Sequence, residues 1–520
     1  MKMWNVGLGK LNELPFPLPE LTKEVKAGAI GIALALLFAL FYRSRASKDL
    51  PVLNLWSVWF SIRKDTTLRS AISQALEAEK FKNHILIRVR LFPFFSAYMM
   101  KDPEGVKLFY SHPSLSLPDG YEWLLGSVRA KIFKGDHRKV ERIDTVSILS
   151  KLLRPQNLSE WAGRILLPTI TEKLAQQDTI ENLMDFTYNT VSTMSVRTFT
   201  QATATKEQQE RLVEGIREAD IESMMQRNPW HAVIPNFYPL VRERERIYHK
   251  MISTVGEIIT NYVNSHLDEL NSMTTSKQRE GPDLVSSLVK GIYDPKAQFL
   301  DLDYAIASVG GLVDAAVLNQ YIATTLLLIH LNRNPEIKAK VVESLQPLAD
   351  FLKANGLTKP GTACDSIAPA LLEDLDLLDA CLLESLRISS TGIVPRIASS
   401  DIEVESVTIP KGSVVLNSQL IIHHDEKVNE DSNTFNPYRF IKDGKCVGGN
   451  KLPEQFVGFG LGRHVCTGMK FASLQIKILC AVILCTYDLQ FEKADYTFAS
   501  VFAGLSKPTE NVKVKLTPKA

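Results

Sequence analysis

Between residues 51 and 390, apolar positions recur mostly at the three- and four-residue spacing of a helix face. The spacing predicts helices over 166–174, 242–270 and 302–333. The last has 32 residues, a length of about 48 Å by the helical rise. Asn334-Pro335-Glu336 punctuates it: Asn suits an N-cap, Pro the first helical position and Glu the first turn, so one helix ends there and another begins. After residue 395 the period falls to two. Ile402, Val404, Val407 and Ile409 alternate with polar residues, Pro410-Lys411-Gly412 reads as a turn, and Val414-Val415-Leu416 follows, which predicts a small β-hairpin. No internal repeat is visible, and 44–54 is the main linker-like stretch. The pattern predicts a mainly α fold with a small β-sheet.

One stretch departs from amphipathic spacing. Residues 27–42 (AGAIGIALALLFALFY) are 16 consecutive uncharged, almost wholly apolar residues. As a helix they span about 24 Å, slightly short of a hydrocarbon core of about 30 Å, and the stems of Lys26 and Arg43 extend the reach by snorkelling. The run starts well inside the chain and ends in Arg43-Ser44-Arg45 without a small-x-small site, which argues against a cleaved signal. Arg43, Arg45 and Lys48 follow it while Lys23 and Lys26 precede it, a balance that favours a cytosolic body. The expectation is a single-pass membrane anchor with its flanks over 1–45 and one large domain over 46–520.

Composition narrows the function by exclusion. Of 520 residues, 45% are hydrophobic and 23% charged, which rules out a disordered or low-complexity chain. A net charge of +2 is too balanced for a protein whose main work is gripping nucleic acid, so no nucleic-acid partner is expected. The six cysteines lie in the last third without CxxC spacing, which argues against a zinc ribbon, a redox dithiol or a disulfide scaffold and for reduced thiols.

The sharpest chemical feature is Phe456-Val457-Gly458-Phe459-Gly460-Leu461-Gly462-Arg463-His464-Val465-Cys466-Thr467-Gly468, followed by an apolar helical run over 469–484. Glycines leading into a Cys, with a helix directly after it, set a thiolate on a tight loop whose backbone N–H groups can point at the sulfur. By itself such a loop also suits a structural Cys. It does not stand alone: 82 residues before Cys466, Glu384-Ser385-Leu386-Arg387 puts opposite charges at i, i+3 on one helix face. Between the two lies Phe435-Asn436-Pro437-Tyr438-Arg439-Phe440.

In this order the motifs resemble the cytochrome P450 family of haem-thiolate monooxygenases, whose loop reads Phe-x-x-Gly-x-(Arg/His)-x-Cys-x-Gly. Phe459, Gly462, His464, Cys466 and Gly468 match it. The resemblance implies the P450 fold behind one membrane-anchor helix, and haem b (iron protoporphyrin IX) with Cys466 as its axial iron ligand. It also implies that Phe459 shields the sulfur, that His464 pairs with a haem propionate, and that Glu384, Arg387 and Arg439 form a buried ion network. Arg396 in Pro395-Arg396 fits the family's strand-borne propionate ligand. Where the family often has Trp-x-x-x-Arg, this chain has His137-Arg138-Lys139-x-x-Arg142, which leaves Arg138 as the candidate.

The departure from the family lies in the long helix. Members usually carry (Ala/Gly)-Gly-x-(Asp/Glu)-Thr some 16 residues before the helix break, the Thr helping proton delivery. Counting back from Pro335 gives Ala315-Ala316-Val317-Leu318-Asn319, so Asn319 stands where Thr is expected. An Asn there resembles the branch with prostacyclin synthase, an isomerase, and the sterol hydroxylases of bile-acid synthesis, while the cysteine loop also resembles that of the sterol demethylases. Asn319, Asp314 and Ala315 are the candidate catalytic residues of this helix, Asp314 through a water as an alternative proton route.

Two enzyme readings stay open. One is a monooxygenase of secondary metabolism acting on an apolar small molecule of sterol, terpenoid, polyketide or alkaloid type, with O2 and with NADPH electrons arriving through an NADPH-cytochrome reductase. The other is an isomerase, desaturase or ring-rearranging enzyme with no net oxygen insertion. A haem sensor or carrier without catalysis is the third class, and an apolar long-helix face of Ile306, Gly310, Val313 and Ala316, expected to line a cavity, speaks against it. The resemblance further implies an endoplasmic reticulum membrane protein whose catalytic domain faces the cytosol. The pocket is expected from regions near 110–130, 215–240, 306–316, 391–394 and 500–505.

Overall fold

The structure, a computed structural model, describes residues 50–54, 84–92, 95–125, 145–219, 238–273, 281–293, 302–373, 375–448, 452–462, 465–499 and 504–519. The apolar run at 27–42, Arg138 and His464 lie outside the described residues.

The helices that position the site are α1 (Asp102–Ser111), α2 (Leu117–Leu125), α3 (Leu183–Thr200), α4 (Tyr238–Ser265), α5 (Leu302–Arg333), α6 (Asp376–Ser389), α7 (Gln419–His423) and α8 (Met469–Thr486). The 32-residue α5 is the axis, and α3, α4, α6 and α8 all pack against it. Two of its buried polar side chains are matched across those seams: the hydroxyls of Thr325 and Thr187 in α3 lie 2.7 Å apart, and His330 Nε2 meets Ser389 Oγ of α6 at 3.1 Å. Each pair satisfies polar atoms that water does not reach. Both α5 and α8 are long and apolar enough to cross a membrane, yet 72% and 61% of their apolar windows are buried, which makes them core helices of this fold.

In chain order the first nine strands among the described residues are β1 (Val52–Asn54), β2 (Leu86–Phe92), β3 (Phe95–Met100), β4 (Leu115–Ser116), β5 (Thr179–Ile180), β6 (Ile393–Ala398), β7 (Ile402–Val404), β8 (Val407–Ile409) and β9 (Val414–Ser418). Six of them form one sheet in the order β1-β2-β3-β9-β6-β4. In it β9 runs antiparallel to β6, with Arg396 opposite Val415. A second hydrophobic core gathers around this sheet, with Phe109 and Tyr110 of α1 and Val457 of the cysteine loop among its members.

The expected helices and strands differ from the structure in four places. The 242–270 stretch breaks at His266, whose ring Nδ1 lies 2.9 Å from the Tyr262 carbonyl, and a short helix Leu267–Asn271 follows. Asn334 does not cap the next helix with its side chain. Its Nδ2 donates to the His330 carbonyl at 2.8 Å and so closes the end of α5. The hairpin is β7–β8 alone, because Val414–Ser418 finds its partners in the six-stranded sheet. Strands β2 and β3 lie where helices dominate the pattern, although β2 alternates buried Ile87 and Val89 with less buried Arg88 and Arg90.

The placing of β6 depends on a close approach. A Cβ on Gly120 of α2 would fall 2.0 Å from the Pro395 carbonyl oxygen, and that backbone atom cannot give way. Gly120→Ala is therefore expected to push α2 off β6 and to cost about 1–3 kcal/mol, read as a lower midpoint in denaturant unfolding. An unchanged midpoint would mean that α2 does not seat on Pro395.

Candidate active site

The cysteine loop leaves the core at Phe456 and Val457, both buried, and ends at Gly468, the N-cap of α8. Gly460 and Gly462 take positive φ angles of 77° and 59°, which L side chains rarely adopt, and so turn the chain back on itself. Gly460 N donates to the Val457 carbonyl at 3.0 Å, Val465 N to Gly462 at 3.2 Å, and Cys466 N to Phe459 at 2.7 Å. Cys466 thus stands just before a helix N-terminus, where the dipole favours negative charge. Of the six cysteines it alone is exposed. Burial nevertheless pushes its thiol up, with the Gly468 amide opposing. Burial also pushes Cys485 up to about 11 and Cys446 to about 12.

α8 packs against α5, and α5 has one open face. From Tyr304 to Arg333 only Ala315 and Asn319 are exposed, one turn apart and in line with half-buried Ser308 and Leu312. The face expected to line a cavity lies elsewhere. A Cβ on Gly310 would meet Ile252 Cδ1 of α4 at 2.9 Å and Ile306 reaches Gly256 of the same helix, so Ile306 and Gly310 form the seam with α4, while Val313 is fully buried. Asp314 is buried as well and does not share the open face. Asn319 meets Gly504, whose φ is 108°: a Cβ there would stand 3.0 Å from Asn319 Oδ1. The Gly504 carbonyl accepts from Thr391 N at 3.1 Å, and Gly392 has no room for a Cβ against Gly504. Segments 391–392 and 504 therefore converge on Asn319.

The structure brings Glu384, Arg387 and Arg439 together. Both Glu384 and Arg387 are buried, and the guanidinium grips the carboxylate with Nε to Oε2 at 2.7 Å and Nη2 to Oε1 at 2.8 Å. Asn436 N donates to Glu384 Oε1 at 2.9 Å and Arg439 Nε approaches it at 3.4 Å. Arg387 Nη1 donates to the His423 carbonyl at 2.6 Å. Arg396, on β6, is fully buried: Nη1 donates to the Phe109 carbonyl at 2.6 Å, and the guanidinium lies 4.6 Å from the Phe109 ring centroid.

Residues 137–516 match the family described as Cytochrome P450. The chain belongs to the cytochrome P450 family. It is 28% identical over 191 residues to the steroid 17-alpha-hydroxylase/17,20 lyase of Squalus acanthias, which covers 36% of this chain and 35% of that protein. It is 31% identical over 198 residues to cytochrome P450 monooxygenase 151 of Postia placenta, covering 36% and 37%. A probable cytochrome P450 516B1 of Dictyostelium discoideum is 28% identical over 275 residues, covering 49% and 51%. The matches thus span between a third and a half of these relatives' length.

Membership in the P450 family implies a haem, and the described residues fit one. Among them no three His, Cys, Asp or Glu side chains gather to hold a metal ion. The exposed Cys466 can give iron one soft ligand, and a macrocycle brings the in-plane ligands itself. His423 and Gln419 are not among the sequence candidates, whereas Thr391 and Gly504 fall in the 391–394 and 500–505 regions expected to shape the pocket. Gln419-x-x-x-His423 carries a signal, two polar side chains on one face of a short helix.

Removing one member of a buried ion network leaves the others uncompensated. Glu384→Ala is expected to cost about 3–5 kcal/mol and to abolish folded, haem-loaded protein, measured as haem absorbance per mole of soluble chain. Full haem content at wild-type stability would contradict the buried network.

Proposed function

We propose that the chain is a haem-thiolate monooxygenase that oxidises an apolar small molecule of sterol, terpenoid, polyketide or alkaloid type in secondary metabolism. The observation that carries the reading is the pairing of the one exposed cysteine, Cys466 before α8, with the one open face of α5, at Ala315 and Asn319, on helices that pack together. Haem b, when bound, supplies the redox chemistry that activates dioxygen. Cys466 is its thiolate ligand, Gly468 donates its amide to the sulfur, and Phe459 shields that sulfur while its carbonyl holds the Cys466 amide. Gly462 gives the loop its turn. Arg396, His464 and Arg138 hold the propionates. Ala315 keeps the open face low, and the Asn319 amide orients substrate or water with separate donor and acceptor atoms. Asp314 and water form the reserve proton route.

Small, weakly polar neighbours at the open face, Ala315, Thr391, Gly392 and Gly504, suit an apolar substrate. The names of two relatives, a steroid hydroxylase and a monooxygenase, point the same way. Electrons come from NADPH through an NADPH-cytochrome reductase. Residues 1–45 are a single-pass anchor in the endoplasmic reticulum membrane and 46–520 the cytosol-facing catalytic domain. The apolar run at 27–42 and the basic residues after it support that topology.

Asn319 also favours a second reading. A planar amide beside Gly504, with separate donor and acceptor atoms, suits an isomerase, desaturase or ring-rearranging enzyme that orients a substrate oxygen without net oxygen insertion. Difference spectra of the holoenzyme first select a ligand from the apolar classes, and that ligand is then turned over under labelled dioxygen with reductase and NADPH. The expected outcome is one labelled oxygen in the product, with Asn319→Thr retaining oxygen-dependent turnover. Turnover that needs no NADPH and leaves the product unlabelled would overturn the monooxygenase in favour of the second reading.

A further inference from the structure

The five-residue helix α7 holds the root of the cysteine loop. Gln419 and His423 stand at i and i+4, on one face of that helix. Gln419 Nε2 donates to the Val457 carbonyl at 2.8 Å, and Val457 N donates to His423 Nε2 at 3.0 Å. Both backbone polar groups of Val457 are thus gripped from one helical turn, and Val457 is fully buried, so water does not compete for them. The Phe456 ring stacks on the His423 ring at 5.5 Å. Because Nε2 accepts, the imidazole is neutral and carries its proton on Nδ1. Burial, helped by nearby His424 and Arg387, holds its pKa well below the ordinary value, in agreement with a neutral ring.

The same residue reaches the ion network through its carbonyl, which accepts from Arg387 Nη1. In the other direction Val457 O accepts from Gly460 N, and Phe459 O accepts from Cys466 N. A continuous set of hydrogen bonds and peptide units therefore runs from Glu384 to the sulfur-bearing residue. We propose that Gln419 and His423 form a peptide clamp on Val457 that positions the cysteine loop, so that the thiolate's hold on iron depends on two side chains hydrogen-bonded to Val457 and not to Cys466. The proposal rests on Cys466 being the haem ligand.

Three variants of the holoenzyme separate the clamp from simple packing. His423→Phe keeps a ring to stack on Phe456 and removes the acceptor. His423→Gln keeps an acceptor and loses the stack, with room from the cavity of about 190 Å³ that Arg387, His423, Asn429, Arg439, Gln455 and Phe456 line. Gln419→Leu removes the donor on the other side. Two quantities are read: hydrogen exchange of the Val457 amide, and the half-life of the thiolate band of the reduced carbon monoxide complex. His423→Phe is expected to speed Val457 exchange and shorten the half-life, each roughly tenfold. Gln419→Leu should change both in the same direction, and His423→Gln should stay near wild type. Wild-type exchange and half-life in His423→Phe would overturn the proposal, as would His423→Gln failing as badly as His423→Phe, since the stack and not the bond would then be what matters. Should His423→Phe not fold, Val457 exchange in Gln419→Leu decides between the same outcomes. Loss of the thiolate band already in wild type would defeat the ligand assignment instead, while amide exchange would still read the clamp.

Discussion

Glu384 is a carboxylate with no exposed surface, and so its charge has to be met entirely by protein. Arg387 meets it from the next helical turn with two parallel N–H bonds, the geometry that makes an Arg–carboxylate pair strong and directional. Asn436 and Arg439 meet it from a segment some fifty residues later. A buried ion pair is a poor source of net stability, but it is strict about geometry, because a misplaced partner leaves a stranded charge. That strictness holds α6, the 431–440 segment and α7 in one arrangement, and α7 is the element that grips the root of the cysteine loop.

On that support the chemistry needs little more. Glycines at positive φ fold the loop so that the Cys466 amide is tied to Phe459 and the sulfur sits before the N-terminus of α8. α8 packs against α5, which from Tyr304 to Arg333 is exposed only at Ala315 and Asn319. Ser195 of α3 reaches in to the Ala316 carbonyl at 3.3 Å and to Gln475 of α8 at 3.1 Å, linking the three helices beside that opening. Helices carry the ligand side and the open side alike, while Gly504 stands against Asn319 from a separate segment.

Much of this was legible in the sequence. The helical period over 302–333 gave the length of α5, and Glu-x-x-Arg with the Phe-Gly-x-Gly-x-x-x-Cys loop pointed to the family that the match over 137–516 establishes. The open face of α5 was not legible, because a helix that is apolar nearly all round carries no periodic signal of which side meets α4. Gly310 reads equally well as a cavity floor or as a helix seam until Ile252 is seen against it. Strands β2 and β3 escape the pattern for a different reason: they are only seven and six residues long, and the described part of β3, Ala97 to Met100, is buried on both faces and does not alternate. The role of His423 is a matter of tertiary contact with residues 36 before it and 34 after it, which no local pattern encodes.

The central claim is that Cys466, on a loop held by the buried ion network, is the thiolate ligand of a haem. Its most direct test is the absorption spectrum of the reduced carbon monoxide complex in the full chain and in single Cys→Ala variants. The account expects the band of thiolate-bound haem in the wild type, its loss in Cys466→Ala, and its survival in Cys446→Ala and Cys485→Ala. A thiolate band that persists in Cys466→Ala would contradict it.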